Sequence, residues 1–572
     1  MRAPPDVTEP AATTPEPASR FARLRTGLGW TVTVLAVLAV WSALVTPNRL
    51  DRLSEGALLR IPVEGLVVVG IGLLLPPRAR RIMAAVVGTL LGVLVIAKIL
   101  DIGFIAALDR PFNPVTDLVD FGPAVGVLND SVGPVWTVVA VLGALLLVAS
   151  IPVLLALAVV RLTSFAAQHR KTSVRTLAGL AAAWLVCAVV GVQFVAHEPV
   201  ASRSAADLAY NHARAVDTAI RDQLTFKAAL TAKDAFGVKP GKDLLTGLSG
   251  KDVIVAFVES YGRVAVQGTS FSNPVDAVLN AGTEKLRAAG YSTRSAFLTS
   301  PTFGGLSWLA HSTFQSGLWI DNQRRYNDLV GSSRFTLSDA FKRAGWRTVG
   351  DVPSDKGNWP QGKSFYHYDQ IYNASNVGYK GPKFSYAAMP DQYILSAFQR
   401  MELTQPHHKP VMAEIDLVSS HTPWAPLPRM VAWDQVGDGS IFNGMPAQGQ
   451  SPKALWRHAS QVQAAYGQSV QYSLNALISF VQTFHDPNLV LLVLGDHQPA
   501  TIVSGSNPGH DVPITIIAHD PRVMDQIASW GWEDGMLPSP SAPVWPMDAF
   551  RNRFLTAFGP HAATGPASGR AR

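Results

Sequence analysis

The chain has 572 residues, 48% of them hydrophobic and 16% charged, with a formal net charge of +7. It is too apolar for an ordinary soluble protein and long enough for several domains. The positive charge owes much to short loops of the first third, and no basic stripe with interleaved aromatics accompanies it, which excludes nucleic acid as a partner.

In chain order, residues 1–19 are rich in Pro, Ala, Thr and Glu and read as a disordered cytoplasmic tail. Five apolar stretches follow, at 28–45, 61–76, 82–108, 135–160 and 177–195. A bilayer span needs about 20 apolar residues, so 20–195 reads as a helical membrane domain of about five spans. The second stretch is short, and the loop after the first, with Arg49, Arg52 and Arg60, fits an outside position less well, which keeps a four-span arrangement as the alternative. Arg20, Arg23 and Arg25, then Arg78, Arg80 and Arg81, then Arg161, Arg170, Lys171 and Arg175 mark cytoplasmic loops. The loop with Asp109, Asp117, Asp120 and Asp130 against Arg110 alone belongs outside. Five spans that start inside put everything after residue 195 outside a cytoplasmic membrane. Further spans follow the first, and a polar, Pro-rich leader precedes it, so the N-terminus does not read as a cleaved signal peptide. Asp101, within the third stretch, raises a transport or lipid-handling role as a rival. The single cysteine, Cys187, lies in the fifth stretch, so any metal in the exported part must be held by His and carboxylates.

Residues 196–250 read as a helical connector broken up by Gly and Pro. From 251 to 558 strands at 252–258, 295–299, 348–352, 411–418, 488–494 and 513–518 alternate with helices at 274–289, 307–316, 334–344, 391–403 and 453–485. That alternation predicts an α/β domain with a mostly parallel central sheet covered on both faces. Residues 559–572 read as a disordered tail. Adjacent His407 and His408 tend to point apart and read as a solvated turn.

Candidate chemistry sits at strand ends, where open α/β sheets collect ligands. The apolar run before Gly495 ends in Asp496 and His497, and the strand at 252–258 ends in Glu259. Two carboxylates and an imidazole can hold a divalent metal. Gly304 and Gly305 precede Ser307, which opens an apparent helix. That Ser is either a plain N-cap or a hydroxyl at an anion-binding helix N-terminus. His421 follows the strand at 411–418, placed to contact an anion or protonate a leaving group, and His510 enters the last strand.

The order strand-Glu259, Gly-Gly-x-Ser307, strand-Ser-His421-x-Pro, strand-Gly-Asp496-His497 and His510-x-Val-Pro resembles the sulfatase-like branch of the alkaline phosphatase superfamily. Within that branch it looks like lipoteichoic acid synthases and other membrane-bound phosphoglycerol or phosphoethanolamine transferases, which also place about five spans before an exported catalytic domain. The resemblance implies one divalent ion, Mn²⁺, Mg²⁺ or Zn²⁺, held by Glu259, Asp496, His497 and the nucleophile Ser307. It implies that His421 and His510 touch the transferred or leaving group. Transferases of this family usually use Thr as nucleophile, so Thr302 is the rival of Ser307. Leu309 and His311 stand where formylglycine formation requires Pro and Arg, which argues against ordinary sulfate ester hydrolysis. The expected activity is a metal-dependent phosphotransferase or phosphodiesterase acting on a membrane lipid or lipid-linked envelope substrate. A sulfatase-like or phosphatase hydrolase and a non-catalytic envelope binding protein are the alternatives.

Overall fold

The computed structural model describes residues 20–560 apart from 196–197, 356, 358, 405–407 and 506. The segment 1–19, nearly all of 559–572 and His407 thus lie outside the described residues. The chain forms two compact units, one of residues up to 102 with 125–215, the other of 103–124 with everything from 216.

Among the described residues four helices are long and apolar enough to cross a membrane: Gly27–Val45, Pro77–Leu108, Pro134–Gln168 and Arg170–Val190. The second apolar stretch makes only the 12-residue helix Val63–Leu74. At about 1.5 Å per residue it reaches roughly 18 Å, short of a hydrocarbon layer of about 30 Å. Pro76 and Pro77, which follow Leu75, end it there. Side chains such as Leu146 and Val189 are more than two-thirds exposed, an arrangement that lipid favours and water does not. Gly92 and Gly88 let helices meet closely, since a Cβ on Gly92 would lie 2.3 Å from Pro152 Cα. Asp101 is fully buried but satisfied: it accepts from Asn48 Nδ2 at 2.7 Å and faces His212 Nε2 at 3.1 Å.

The second unit is built on a sheet of nine strands, numbered here β1 Asp252–Val258, β2 Ser292–Thr299, β3 Arg347–Val352, β4 Gln370–Asn373, β5 Val411–Leu417, β6 Leu489–Gly495, β7 Asp511–Ala518, β8 Glu533–Asp534 and β9 Val544–Pro546. Their order is β8-β2-β7-β6-β1-β5-β3-β4, with β9 also on β2. β6, β1, β5, β3 and β4 run parallel. β7 is antiparallel to both β6 and β2, β8 is antiparallel to β2 and β9 is parallel to β2, so the sheet is mixed, with β7 and β8 running against the other seven strands.

Strict alternation along β1 divides the core. Ile254, Ala256 and Val258 join the layer under helices Ser272–Ala288 and Ala459–Phe484. Val253, Val255 and Phe257 join the layer under helices Ser307–Ser316 and Met547–Ala557. Both faces are covered, which is why β1 and β6 are apolar throughout.

The end of helix Ser307–Ser316 is gripped from two sides. Arg551, fully buried, donates through Nη1 to the Ser316 carbonyl at 3.0 Å, and Arg334 Nε donates to the same oxygen at 3.0 Å. Both guanidinium groups share Asp234, at 2.7 and 3.2 Å. Burial pushes the Asp234 carboxyl up, but Arg551, the Gly237 amide and Arg334 pull it below its ordinary range. Asp234→Ala strands two buried cations and is expected to cost about 3–5 kcal/mol at pH 7. A depressed carboxyl stabilises above its unfolded value of about 3.9 and stops doing so as pH falls through the folded value. Melting curves of wild type and variant in detergent, taken from pH 7 downwards, should therefore converge in acid.

Candidate active site

Parallel strands in register carry residues far apart in sequence to one edge. Gly495 pairs with Val258, and Val258 with Leu417, so Asp496 and Glu259 emerge side by side with Ser419, Ser420 and His421 next to them. The turn after Glu259 puts Ser260 at φ 57°, a left-handed conformation that costs energy for a residue with a Cβ. It is repaid where Ser260 N donates to Asp496 Oδ1 at 2.7 Å. The His497 amide donates to the same oxygen at 2.8 Å. Ser420 Oγ donates to the Glu259 carbonyl at 2.6 Å.

Ser307 is brought in by a turn that needs its glycine. Gly304 has φ +69°, and a Cβ there would lie 2.0 Å from the Ala107 carbonyl oxygen. Leu306 is also left-handed, at φ 62°, and Ser307 is the first residue of its helix. The first amides of a helix have no intrahelical acceptor, and the dipole there favours an anion. Ser307 Oγ donates to Glu259 Oε2 at 3.0 Å and lies 3.2 Å from His497 Nε2. Thr302 is placed differently: its hydroxyl is buried in the turn, donating to the Gly305 carbonyl at 2.7 Å.

Glu259, Asp496 and His497 each present a ligand atom within 4.8 Å of the others. His497 Nδ1 sits 2.8 Å from the Gln498 carbonyl; that contact keeps a proton on Nδ1 and turns Nε2 toward the carboxylates. Asp496 Oδ2 is buried with no hydrogen bond. An orphaned carboxylate oxygen beside a second carboxylate and an oriented imidazole fits a divalent cation. The electrostatics agree. Burial lowers His497, but Asp496 and Glu259 overcome it and push it up to about 9. Burial and then the Glu259 charge push Asp496 up to about 6. Burial raises Glu259 as well, yet His421 and His497 hold it well below the carboxylate range. A divalent ion would take over the neutralisation that the His497 proton provides.

His421 and His510 part company. His421 borders a cavity of about 270 Å³ that Ser307, Glu259 and Asp496 also line, and its ring stacks on Tyr386 at 3.5 Å. His510 is not among the residues lining that cavity; its ring centroid lies 5.7 Å from that of Phe303 and its carbonyl accepts from Ser300 N. Three cavity residues were not expected from the sequence as a group: His311, Glu414 and Asp416. Burial lowers His311, but Asp416 and Glu414 push it up to about 9. Burial pushes Asp416 up to about 7 against the pull of His311. The signal available was Glu-x-Asp inside the otherwise apolar run of β5.

No protein-family model matches the chain, and no curated protein matches it in sequence. Solved structures do. The integral membrane lipooligosaccharide phosphoethanolamine transferase A of Neisseria meningitidis is 12% identical, covering 92% of this chain and 95% of that one, with a TM-score of 0.43. The lipoteichoic acid synthase LtaP of Listeria monocytogenes is 11% identical, over 56% of this chain and 74% of that one, at 0.37. A protein of the alkaline phosphatase superfamily from Vibrio parahaemolyticus is 14% identical, over 59% and 74%, at 0.36. The structures this chain is similar to thus include one described as a member of the alkaline phosphatase superfamily, the group its motifs resemble.

Proposed function

We propose that the chain is a metal-dependent phosphotransferase or phosphodiesterase at the outer face of the cytoplasmic membrane. It would move a phospho-alcohol head group from a membrane lipid to an envelope acceptor through a covalent intermediate on Ser307. The observation that carries this reading is Ser307 Oγ at a helix N-terminus, 3.0 Å from Glu259 Oε2 and 3.2 Å from His497 Nε2. Glu259, Asp496, His497 and Ser307 would hold one divalent ion, Mn²⁺, Mg²⁺ or Zn²⁺, which when bound supplies Lewis acidity to the serine hydroxyl and the phosphate oxygens.

The rest falls to the chain itself. The helix N-terminus and its free amides receive the phosphate oxygens. Ser307 Oγ bonds to phosphorus while the bond to the lipid oxygen breaks. The serine proton, hydrogen-bonded to Glu259, passes to solvent at that point and is regained from solvent when Oγ later departs. The leaving oxygen takes a proton from His421, a role within reach of general acid catalysis. In the second half the acceptor hydroxyl returns that proton to His421 as its oxygen replaces Oγ on phosphorus.

The test is full-length protein with a phospholipid bearing a fluorescent head group, with and without Mn²⁺. Release of diacylglycerol is expected, with the label on a protein serine or an acceptor. Free labelled phospho-alcohol as the sole second product would make water the acceptor and favour the hydrolase alternative. Bound metal without lipid turnover would transfer the chemistry to another phosphate or sulfate ester.

A further inference from the structure

One turn beyond Ser307 the same helix carries His311, and β5 presents Glu414 and Asp416 to it. Ala413, Ile415 and Leu417 face the other core layer, so the two carboxylates share the face of Met412, beneath the serine helix. His311 Nδ1 lies 3.1 Å from Glu414 Oε1 and 3.4 Å from Asp416 Oδ1. One ligand atom from each of the three falls within 4.8 Å of the others.

The supporting contacts are those of a built site. The second oxygen of Glu414 accepts from the Tyr368 hydroxyl at 2.9 Å and from the Gln315 amide. The His311 ring is stacked on Phe257 with centroids 3.8 Å apart. Ligands whose far atoms are fixed in this way are oriented toward a cation. Two carboxylates on a helix-covered strand face are also costly unless positive charge meets them, and one imidazole offsets only one of them. His311, Glu414 and Asp416 all border the cavity that Ser307 lines.

We propose that His311, Glu414 and Asp416 form a second divalent-cation site beside Ser307. One imidazole and two carboxylates suit Mn²⁺ or Zn²⁺. The part this ion plays in phosphotransfer rests on the function proposed above; its binding does not.

Full-length protein stripped with chelator and dialysed against Mn²⁺ or Zn²⁺ is expected to bind about two ions per chain. The pair His311→Gln with Asp416→Asn should lose about one ion and keep the other, and Asp496→Asn should do the reverse. Glu414→Gln, the mildest change, should weaken one ion by at least about tenfold and serves if the double variant does not fold. A single ion in wild type, lost in Asp496→Asn and indifferent to changes at 311, 414 and 416, would overturn the second site and leave the proposed function standing. A single ion with the opposite dependence would keep this site and sink the Glu259, Asp496 and His497 reading.

Discussion

Ser307→Ala should abolish phosphotransfer, with turnover falling by about a thousandfold or more, while bound metal falls far less. The substitution removes one atom from a turn whose shape is set by Gly304 and Leu306, so the fold has no reason to change. Glu259, Asp496 and His497 keep their mutual contacts without it. Thr302→Ala is the control. Its hydroxyl is spent on the Gly305 carbonyl, and its loss should cost about 1 kcal/mol of stability with turnover within tenfold of wild type. Trapping the labelled intermediate gives the decisive readout, since wild type should carry phosphate on Ser307 and the Thr302 variant should as well. An active Ser307→Ala protein beside a dead Thr302→Ala protein would move the nucleophile to Thr302.

Asp496→Asn should act in opposite directions with and without metal. Loaded wild type gains stability from its ion by mass action, and the variant should lose the part due to this site together with its turnover. In chelator the sign reverses. The Asn Oδ1 can still accept from Ser260 and His497 amides, while the repulsion between two buried carboxylates is gone. Because folded Asp496 is pushed up to about 6, its penalty is absent below the unfolded pKa of about 3.9 and grows as pH rises through the folded value. The metal-free variant should therefore be more stable than metal-free wild type by about 1–3 kcal/mol at pH 7, and equal to it near pH 4. Melting curves with EDTA and with Mn²⁺ at both pH values check this. A variant less stable than wild type in EDTA at pH 7 would show that the carboxylate is not held under repulsion.

The residues legible in the sequence were those where a strong pattern stops abruptly. Seven buried positions, Leu489–Gly495, run into Asp496 and His497; the seven of β1 do the same before Glu259. Ser307 was favoured over Thr302 because it opens a helix; what the sequence could not show is the turn in which the Thr302 hydroxyl donates to the Gly305 carbonyl. Glu414 and Asp416 were passed over because two polar residues inside an apolar strand look like ordinary alternation until the covering helix is known to carry His311. His510 stands just before β7, which runs antiparallel to β6, so it comes to the site edge although it enters its strand rather than leaving it; its ring centroid lies 5.7 Å from that of Phe303. Strand direction leaves little trace in hydrophobic pattern, and for that reason the antiparallel course of β7 was not foreseen. The second apolar stretch was long enough to count as a span only when Leu75, Pro76 and Pro77 were not read as a stop.

The Arg551, Arg334 and Asp234 grip on Ser316 bears on where a soluble version of this protein can begin. Every strand of the sheet lies after residue 251, so a fragment cut at that point looks complete on a topology diagram. It would nevertheless leave behind the one acidic partner shared by two buried guanidinium groups, at the far end of the helix whose first residue is Ser307. A secreted fragment must start upstream of Asp234, and one that starts later should lose the alignment of its serine before it loses any ligand.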